Sequence, residues 1–182
     1  MKRIAFIKLL LMGLLFFTGI HHLQAQAAPT ATGPNPYLAV GVGGSIFQSD
    51  YGQLHLIGPT VWVDANIHRY VGLEAEGRLL NYNTRNDLKQ STYLIGPRLS
   101  YKRGHLAPYV KMPVGIGLMK FPYNYATGKY FVMAPGAGLD YWMKDGAVRI
   151  RLIDAEYQVW PQFSFGVNKP YGATVGISFR VF

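Results

Sequence analysis

The sequence predicts an all-β fold, an eight-stranded antiparallel up-and-down transmembrane β-barrel. Three observations predict it. The chain begins with a segment built like an export signal, the rest alternates apolar and polar residues with period two, and the connections alternate between long and short.

Met1-Lys2-Arg3 and Lys8 carry positive charge, and Leu9 to Ile20 form an apolar core too short for a stop-transfer helix. Ala25-Gln26-Ala27 supplies the small-x-small pattern of a cleavage site. Cleavage is expected after Ala27, with Ala25 as second choice. The competing reading, a retained membrane anchor, would need a longer apolar core. The expected organisation is therefore a cleaved signal peptide over 1–27, a short tail over 28–36 and an outer-membrane β-barrel over 37–182. The 182-residue chain has no cysteine, which excludes a lipid-acceptor thiol and a disulfide scaffold. Its formal charge is +9, and Lys2, Arg3 and Lys8 leave with the signal. The remaining cations form no runs and the chain is exported, so nucleic acid is not an expected partner.

After the signal, no stretch is apolar for the roughly 18 residues that a transmembrane helix needs. Glycine, β-branched and aromatic residues dominate, which suits strands. The first strand, Tyr37–Phe47, sets Leu38, Val40, Val42 and Ile46 against Ala39, Gly41, Gly43 and Ser45. The second is Leu56–His68, with Val61, Val63, Ala65 and Ile67 against Thr60, Trp62, Asp64, Asn66 and His68. The third is Val71–Asn81, with Val71, Leu73, Ala75 and Leu79 against Glu74, Glu76 and Arg78. The fourth, Thr92–Lys102, opposes Tyr93, Ile95, Leu99 and Tyr101 to Gly96, Arg98, Ser100 and Lys102. The fifth, Ala107–Phe121, opposes Val110, Met112, Val114, Ile116 and Leu118 to Lys111, Gly115 and Gly117. The sixth, Tyr130–Met143, opposes Phe131, Met133, Ala137, Leu139 and Tyr141 to Gly136, Gly138 and Asp140. The seventh is Ala147–Trp160, and the eighth, Tyr171–Phe182, sets Tyr171, Ala173, Val175, Ile177 and Phe179 against Gly172, Thr174, Gly176, Ser178 and Arg180.

Between them, Gln48–His55, Tyr82–Ser91, Pro122–Lys129 and Pro161–Pro170 are long, while Arg69-Tyr70, Arg103–Leu106 and Lys144-Asp145-Gly146 are tight turns. In a membrane barrel the long loops face the cell surface and the short turns face the periplasm. An even strand number then puts both ends in the periplasm.

Alternation alone does not say which face points outward. A soluble lipocalin-like ligand carrier has the same period with its faces reversed. Lipid outside is favoured by the many small residues on the polar parity, which suit the narrow lumen of eight strands. It is also favoured by the aromatics near strand ends: Tyr93, Tyr101, Phe131, Tyr141, Tyr157, Trp160 and Tyr171 read as interfacial girdles. The terminal Phe182 reads as an assembly signal. One irregularity stands out. Val148, Ile150 and Leu152 share a parity that Ala155, Tyr157 and Val159 do not, so the phase slips near Ile153, where a β-bulge would absorb one residue. Phe182 is likewise out of phase with Phe179 and Val181.

The stretches YLIGPRLSY (Tyr93–Tyr101), APYVKMPVGIGL (Ala107–Leu118), APGAGLDY (Ala134–Tyr141) and RIRLIDAEY (Arg149–Tyr157) resemble the outer-membrane protein β-barrel domain family, related to the OmpA transmembrane domain, OmpX and the opacity proteins. The resemblance covers Tyr37 to Phe182 and implies an eight-stranded barrel in the outer membrane, without enzymatic activity. The FRVF ending departs from relatives that keep the terminal Phe in phase.

The polar parity carries Asp64, Glu74, Glu76, Asp140, Asp154 and Glu156 together with Arg78, Arg98, Lys111, Arg149, Arg151 and Arg180. Paired carboxylates suit acid–base catalysis. Equal numbers of both signs on an inward face suit a network of ion pairs that fills the lumen, because charges in a low dielectric must be paired. The mature histidines, His55, His68 and His105, sit in or beside connections, and none has a serine at catalytic spacing on a strand. No catalytic, cofactor or metal site is expected. The expected partners are outer-membrane lipid and lipopolysaccharide, and the barrel-assembly machinery during biogenesis, with the protein a monomer. The function expected is that of a small integral outer-membrane protein with a plugged polar interior and a structural or surface-interaction role. A narrow channel or small-solute pore and a lipid A-modifying enzyme are the alternatives.

Overall fold

A computed structural model describes residues 36–51, 55–81, 88–121, 126–144, 146–164 and 166–181. The expected signal peptide, nearly all of the 28–36 tail and Phe182 lie outside the described residues.

Ten ladder segments are formed: β1 Tyr37–Gln48, β2 His55–Asn66, β3 Val71–Leu80, β4 Lys89–Ser100, β5 Leu106–Lys111, β6 Val114–Lys120, β7 Thr127–Met133, β8 Gly136–Trp142, β9 Val148–Tyr157 and β10 Tyr171–Arg180. All neighbours are antiparallel. β1 pairs with β2, β2 with β3 and β3 with β4. β4 pairs with both β5 and β6, which in turn pair with β8 and β7. β8 pairs with β9, β9 with β10, and β10 returns to β1. The sheet is closed, with β5–β6 and β7–β8 each making one crossing, so the barrel has eight strands.

The two interruptions correct the continuous fifth and sixth strands expected from the pattern. They fall at Met112-Pro113 and Ala134-Pro135, where proline has no N–H to give the ladder. The proline carbonyls still accept. Met112 N–H donates to Pro97 (3.1 Å), Ala134 N–H to Pro113 (2.9 Å) and Tyr157 N–H to Pro135 (3.0 Å). The strands therefore hold their course across the breaks.

The turns are as tight as their sequences suggest. Arg103 and Leu106 exchange both backbone hydrogen bonds (2.8 and 3.2 Å) around Gly104, whose φ of 62° lies in the left-handed region. The phase slip in the seventh strand is a bulge. β9 loses one residue of register against both β8 and β10, and Leu152 and Ile153 are both exposed. β10 ends at Arg180, and Val181 N–H still donates to the Leu38 carbonyl (2.7 Å).

The barrel is apolar outside and polar inside. Ile95 is 56% exposed and Val110 53%, whereas inward-facing Arg78 is 0% exposed. Tyr93, Tyr101, Phe131, Tyr141, Tyr157 and Tyr171 are all on the outer surface. In water, each such Val, Ile or Leu would forgo roughly 1.5–3 kcal/mol of burial. A lipid solvent removes that cost, and the lipocalin-like alternative, which needs the reverse distribution, fails on this point.

Candidate functional site

The lumen is built in layers. At the loop end, Met119, Tyr130, Val132 and Trp160 from the wall meet Leu88, Phe121 and Phe163 from three different connections. Tyr51, from a fourth connection, packs edge-on against Phe121 and Phe163, with ring centres 5.5 and 5.8 Å apart. The seventh connection is pinned over the lumen. Trp160 N–H donates to Asn168 O (2.9 Å), Lys169 N–H to an Asp50 carboxylate oxygen (3.1 Å), and the Tyr130 and Ser164 hydroxyls lie 2.8 Å apart.

Trp160 corrects the sequence reading. It was expected at the membrane interface and is wholly buried inside. Beyond the bulge, the inward parity of β9 runs through Asp154, Glu156 and Gln158 and continues to Trp160. Its indole N–H donates to Gln158 Oε1 (3.0 Å) and its ring lies against Gly117, where a side chain would collide with it.

Below this layer the polar side chains form one connected set. Gln158 Nε2 donates to Glu156 (2.7 Å), and Glu156 is ion-paired with Arg78 (2.8 Å). Arg78 also pairs with Glu76, and its Nε donates to Ser45 Oγ (3.2 Å). Ser45 is shared with Thr174 (2.6 Å) and Thr60. At the centre the Lys111 ammonium sits among four carboxylates: Glu74 (2.9 Å), Glu76 (3.0 Å), Asp154 (2.6 Å) and Glu156 (3.3 Å). Glu74, Glu76 and Asp154 stand close enough together to share a metal ion. The lysine already supplies a cation there.

Towards the turn end, Arg151 bridges Glu74 (2.6 Å) and Asp154 (3.0 Å). Arg98 reaches Asp64 (2.7 Å), Glu74 (3.3 Å) and Asp140. Arg149 pairs with Asp64 and with Asp140 (3.4 Å), and its Nε donates to Ser178 Oγ (2.9 Å). The structure thus brings together eleven of the twelve charged residues read from the sequence. Arg180 is the exception, and a second correction. It is exposed at the turn-end mouth, with its guanidinium 5.7 Å from the Tyr37 ring centre. Its parity is inward, but it stands at the last rung of β10, opposite Ala39 and beyond the depth of the network.

Aromatic shelves were missed from the sequence. Trp62 lies flat across Gly41 and Gly176, and Arg151 stacks on it at 4.1 Å. Tyr109 lies across Gly138 beneath Arg98, at 3.8 Å, and Arg78 stacks on Phe47 at 4.1 Å. The available signal was the run of glycines on the polar parity. Its meaning depends on the register that sets Trp62 opposite Gly41.

The histidines lie apart from this set. His55 opens β2 and is exposed, as are His68 and His105, and His105 Nδ1 is 2.9 Å from the Trp142 carbonyl.

No protein-family model matches the sequence, and no curated protein matches it. Solved structures do. Neisserial surface protein A aligns over 82% of this chain and 99% of its own, with a TM-score of 0.65 at 10% identity. The outer membrane protein OprG from Pseudomonas aeruginosa aligns over 80% and 95%, with a TM-score of 0.59 at 11% identity. Ail, the attachment invasion locus protein of Yersinia pestis, aligns over 80% and 97%, with a TM-score of 0.51 at 17% identity. This chain has the fold of the small outer-membrane β-barrels. At these identities the likeness is one of fold, and it agrees with the resemblance drawn from Tyr93–Tyr101 and the stretches after it. In barrels of this fold the apolar belt faces lipid, the short turns face the periplasm and the long connections face outward.

Proposed function

We propose that this outer-membrane barrel is a structural and surface-interaction protein with a closed, non-conducting lumen, and that it catalyses no reaction. The observation that carries the reading is the unbroken set of ion pairs from Glu156 to Arg149, capped at the loop end by Trp160 and Phe163. An eight-stranded barrel is only wide enough for its side chains to fill. Breaking a buried pair by removing one partner costs several kcal/mol, so a path opened by separating these ions would be costly. We further propose a monomer in contact with lipid and lipopolysaccharide, folded by the barrel-assembly machinery, with the outward connections carrying any specific binding. The carboxylates that suit acid–base chemistry are each held by arginine or lysine, which supports the structural reading over a lipid A-modifying enzyme.

Purified protein in planar bilayers should give no steady single-channel conductance. A reproducible open level would overturn the closed reading. A cavity at the turn end favours a second reading, a narrow channel whose inner vestibule ends on Arg98 and Arg149. The same recording decides between the two.

A further inference from the structure

At the periplasmic mouth the lumen opens into a cavity of about 180 Å³. Liquid water occupies about 30 Å³ per molecule, so the space holds roughly six waters, or one small ion with part of its hydration shell. Among the described residues, Arg69, Arg98, Lys102, Arg149 and Arg180 line it together with one carboxylate, that of Asp140. Arg98 and Arg149 are committed to Asp64 and Asp140. Arg69 and Lys102 have no carboxylate within ion-pairing distance among the described residues. Arg69 lies over the Tyr70 ring at 5.0 Å, and Lys102 over the Trp142 ring at 4.7 Å.

Two further donors point the same way. The Tyr37 hydroxyl oxygen accepts from Arg149 at 3.4 Å, which leaves its own O–H to donate. Arg98 is buried, and its Nε–H has no acceptor. A buried guanidinium N–H without a partner costs free energy unless an acceptor arrives from outside the chain. We propose that this cavity is a periplasm-facing binding site for a phosphate-type oxyanion, held by Lys102 and Arg69 and received by Tyr37 and Arg98.

A closed external end does not conflict with such a site, and the site does not require it. A dead-end pocket and a channel vestibule would both present the same donors to the periplasm.

The oxyanion has two possible sources, a water-borne phosphate compound or the headgroup of an inner-leaflet phospholipid. The barrel is prepared in an uncharged maltoside detergent and titrated with inorganic phosphate at constant ionic strength. The ¹H–¹⁵N signal of the Trp142 indole, a wall of the cavity, is followed by NMR. The same signal is compared in nanodiscs of phosphatidylcholine and of phosphatidylglycerol. Saturable movement with free phosphate assigns a water-borne ligand, and a difference between the nanodiscs alone assigns a lipid headgroup.

In the Arg69→Gln/Lys102→Gln double variant, the response should weaken by at least about tenfold, because two charge-assisted hydrogen bonds are lost. Arg103→Gln/Lys144→Gln removes the same charge from the same rim outside the cavity lining, and should bind like the parent. The heat-dependent gel mobility of each variant checks that it has folded. Neither of the first pair forms an ion pair with the lumen network, so both variants should fold. The proposal is overturned if the indole signal responds to neither source. It is also overturned if the two double variants weaken binding equally, which would mark a diffuse surface potential.

Discussion

Replacing Lys111 by methionine tests how the lumen is held. Methionine keeps nearly the length and volume of the side chain and removes only the ammonium. That ammonium stands 2.6–3.3 Å from carboxylate oxygens of Glu74, Glu76, Asp154 and Glu156. Oxygens of Glu74, Glu76 and Asp154 lie within 4.8 Å of one another. At an effective dielectric of about 20, two like charges at that distance repel by roughly 3.5 kcal/mol. Arg78 and Arg151 still neutralise part of this, so the expected loss is that of a broken buried pair, about 3–5 kcal/mol. The assay is urea unfolding of the barrel in detergent micelles at neutral pH, parent against variant. One further result is expected. Adding Glu76→Gln to Lys111→Met should recover part of the loss, because it removes one of the repelling charges. If Lys111→Met unfolds at the parent's urea concentration, the four carboxylates are not held by this lysine, and the description of the lumen as a charge-compensated plug is wrong.

Other consequences are simpler to check. Gly41→Ala places a methyl 2.2 Å from the Trp62 indole, so the ring must leave its seat under Arg151; a cost of about 1–3 kcal/mol and a changed near-UV circular dichroism spectrum are expected. Val110→Arg puts a charge on the lipid face and should cost about 2–4 kcal/mol when unfolding is followed in vesicles, whereas a soluble barrel would tolerate the change. Gly104→Ala forces an L side chain to φ 62° in a periplasmic turn and should cost roughly 1 kcal/mol by the same unfolding assay.

The eight crossings and the sense of the barrel wall are legible in the sequence because a strand reports its two faces residue by residue. Val61, Val63 and Ala65 on one parity and Thr60, Asp64 and Asn66 on the other already specify lipid and lumen for β2. Depth along the barrel axis is not written that way. Trp160 and Arg180 both have the inward parity, yet one sits deep in the loop-end layer and the other at the periplasmic rim. Placing them needs the stagger between strands, which only the closed sheet supplies. The proline breaks were missed for a related reason. Met112 and Val114 keep their outward parity across Pro113, so the alternation shows no fault where the ladder lacks a donor.

The ion network also bears on why the chain adopts one register. Filling a lumen with ion pairs is a poor route to stability, since well-packed apolar residues often serve as well or better. Register is a different matter. A strand that slips by one residue turns its whole inward set to lipid. For β3 that would expose Glu74, Glu76 and Arg78 to hydrocarbon, where a charge costs up to about 2–4 kcal/mol. A lumen of leucines would carry no such penalty, and would bring the strands nearer to the long apolar runs that read as membrane helices. The bulge at Leu152–Ile153 follows from the same constraint. Arg149 and Arg151 have one parity in sequence, and Asp154 and Glu156 the other, so a regular strand could keep only one pair inside. By turning Leu152 and Ile153 both outward, β9 faces all four charges inward, and Arg151 meets Asp154 at 3.0 Å. Deleting Ile153 would place Asp154 and Glu156 on the parity of Arg149 and Arg151, so a regular β9 would face all four charges inward without a bulge. The expected outcome is a barrel that still inserts, read as a retained heat-dependent gel shift. Failure to insert would show that the bulge serves something other than the parity of these four charges.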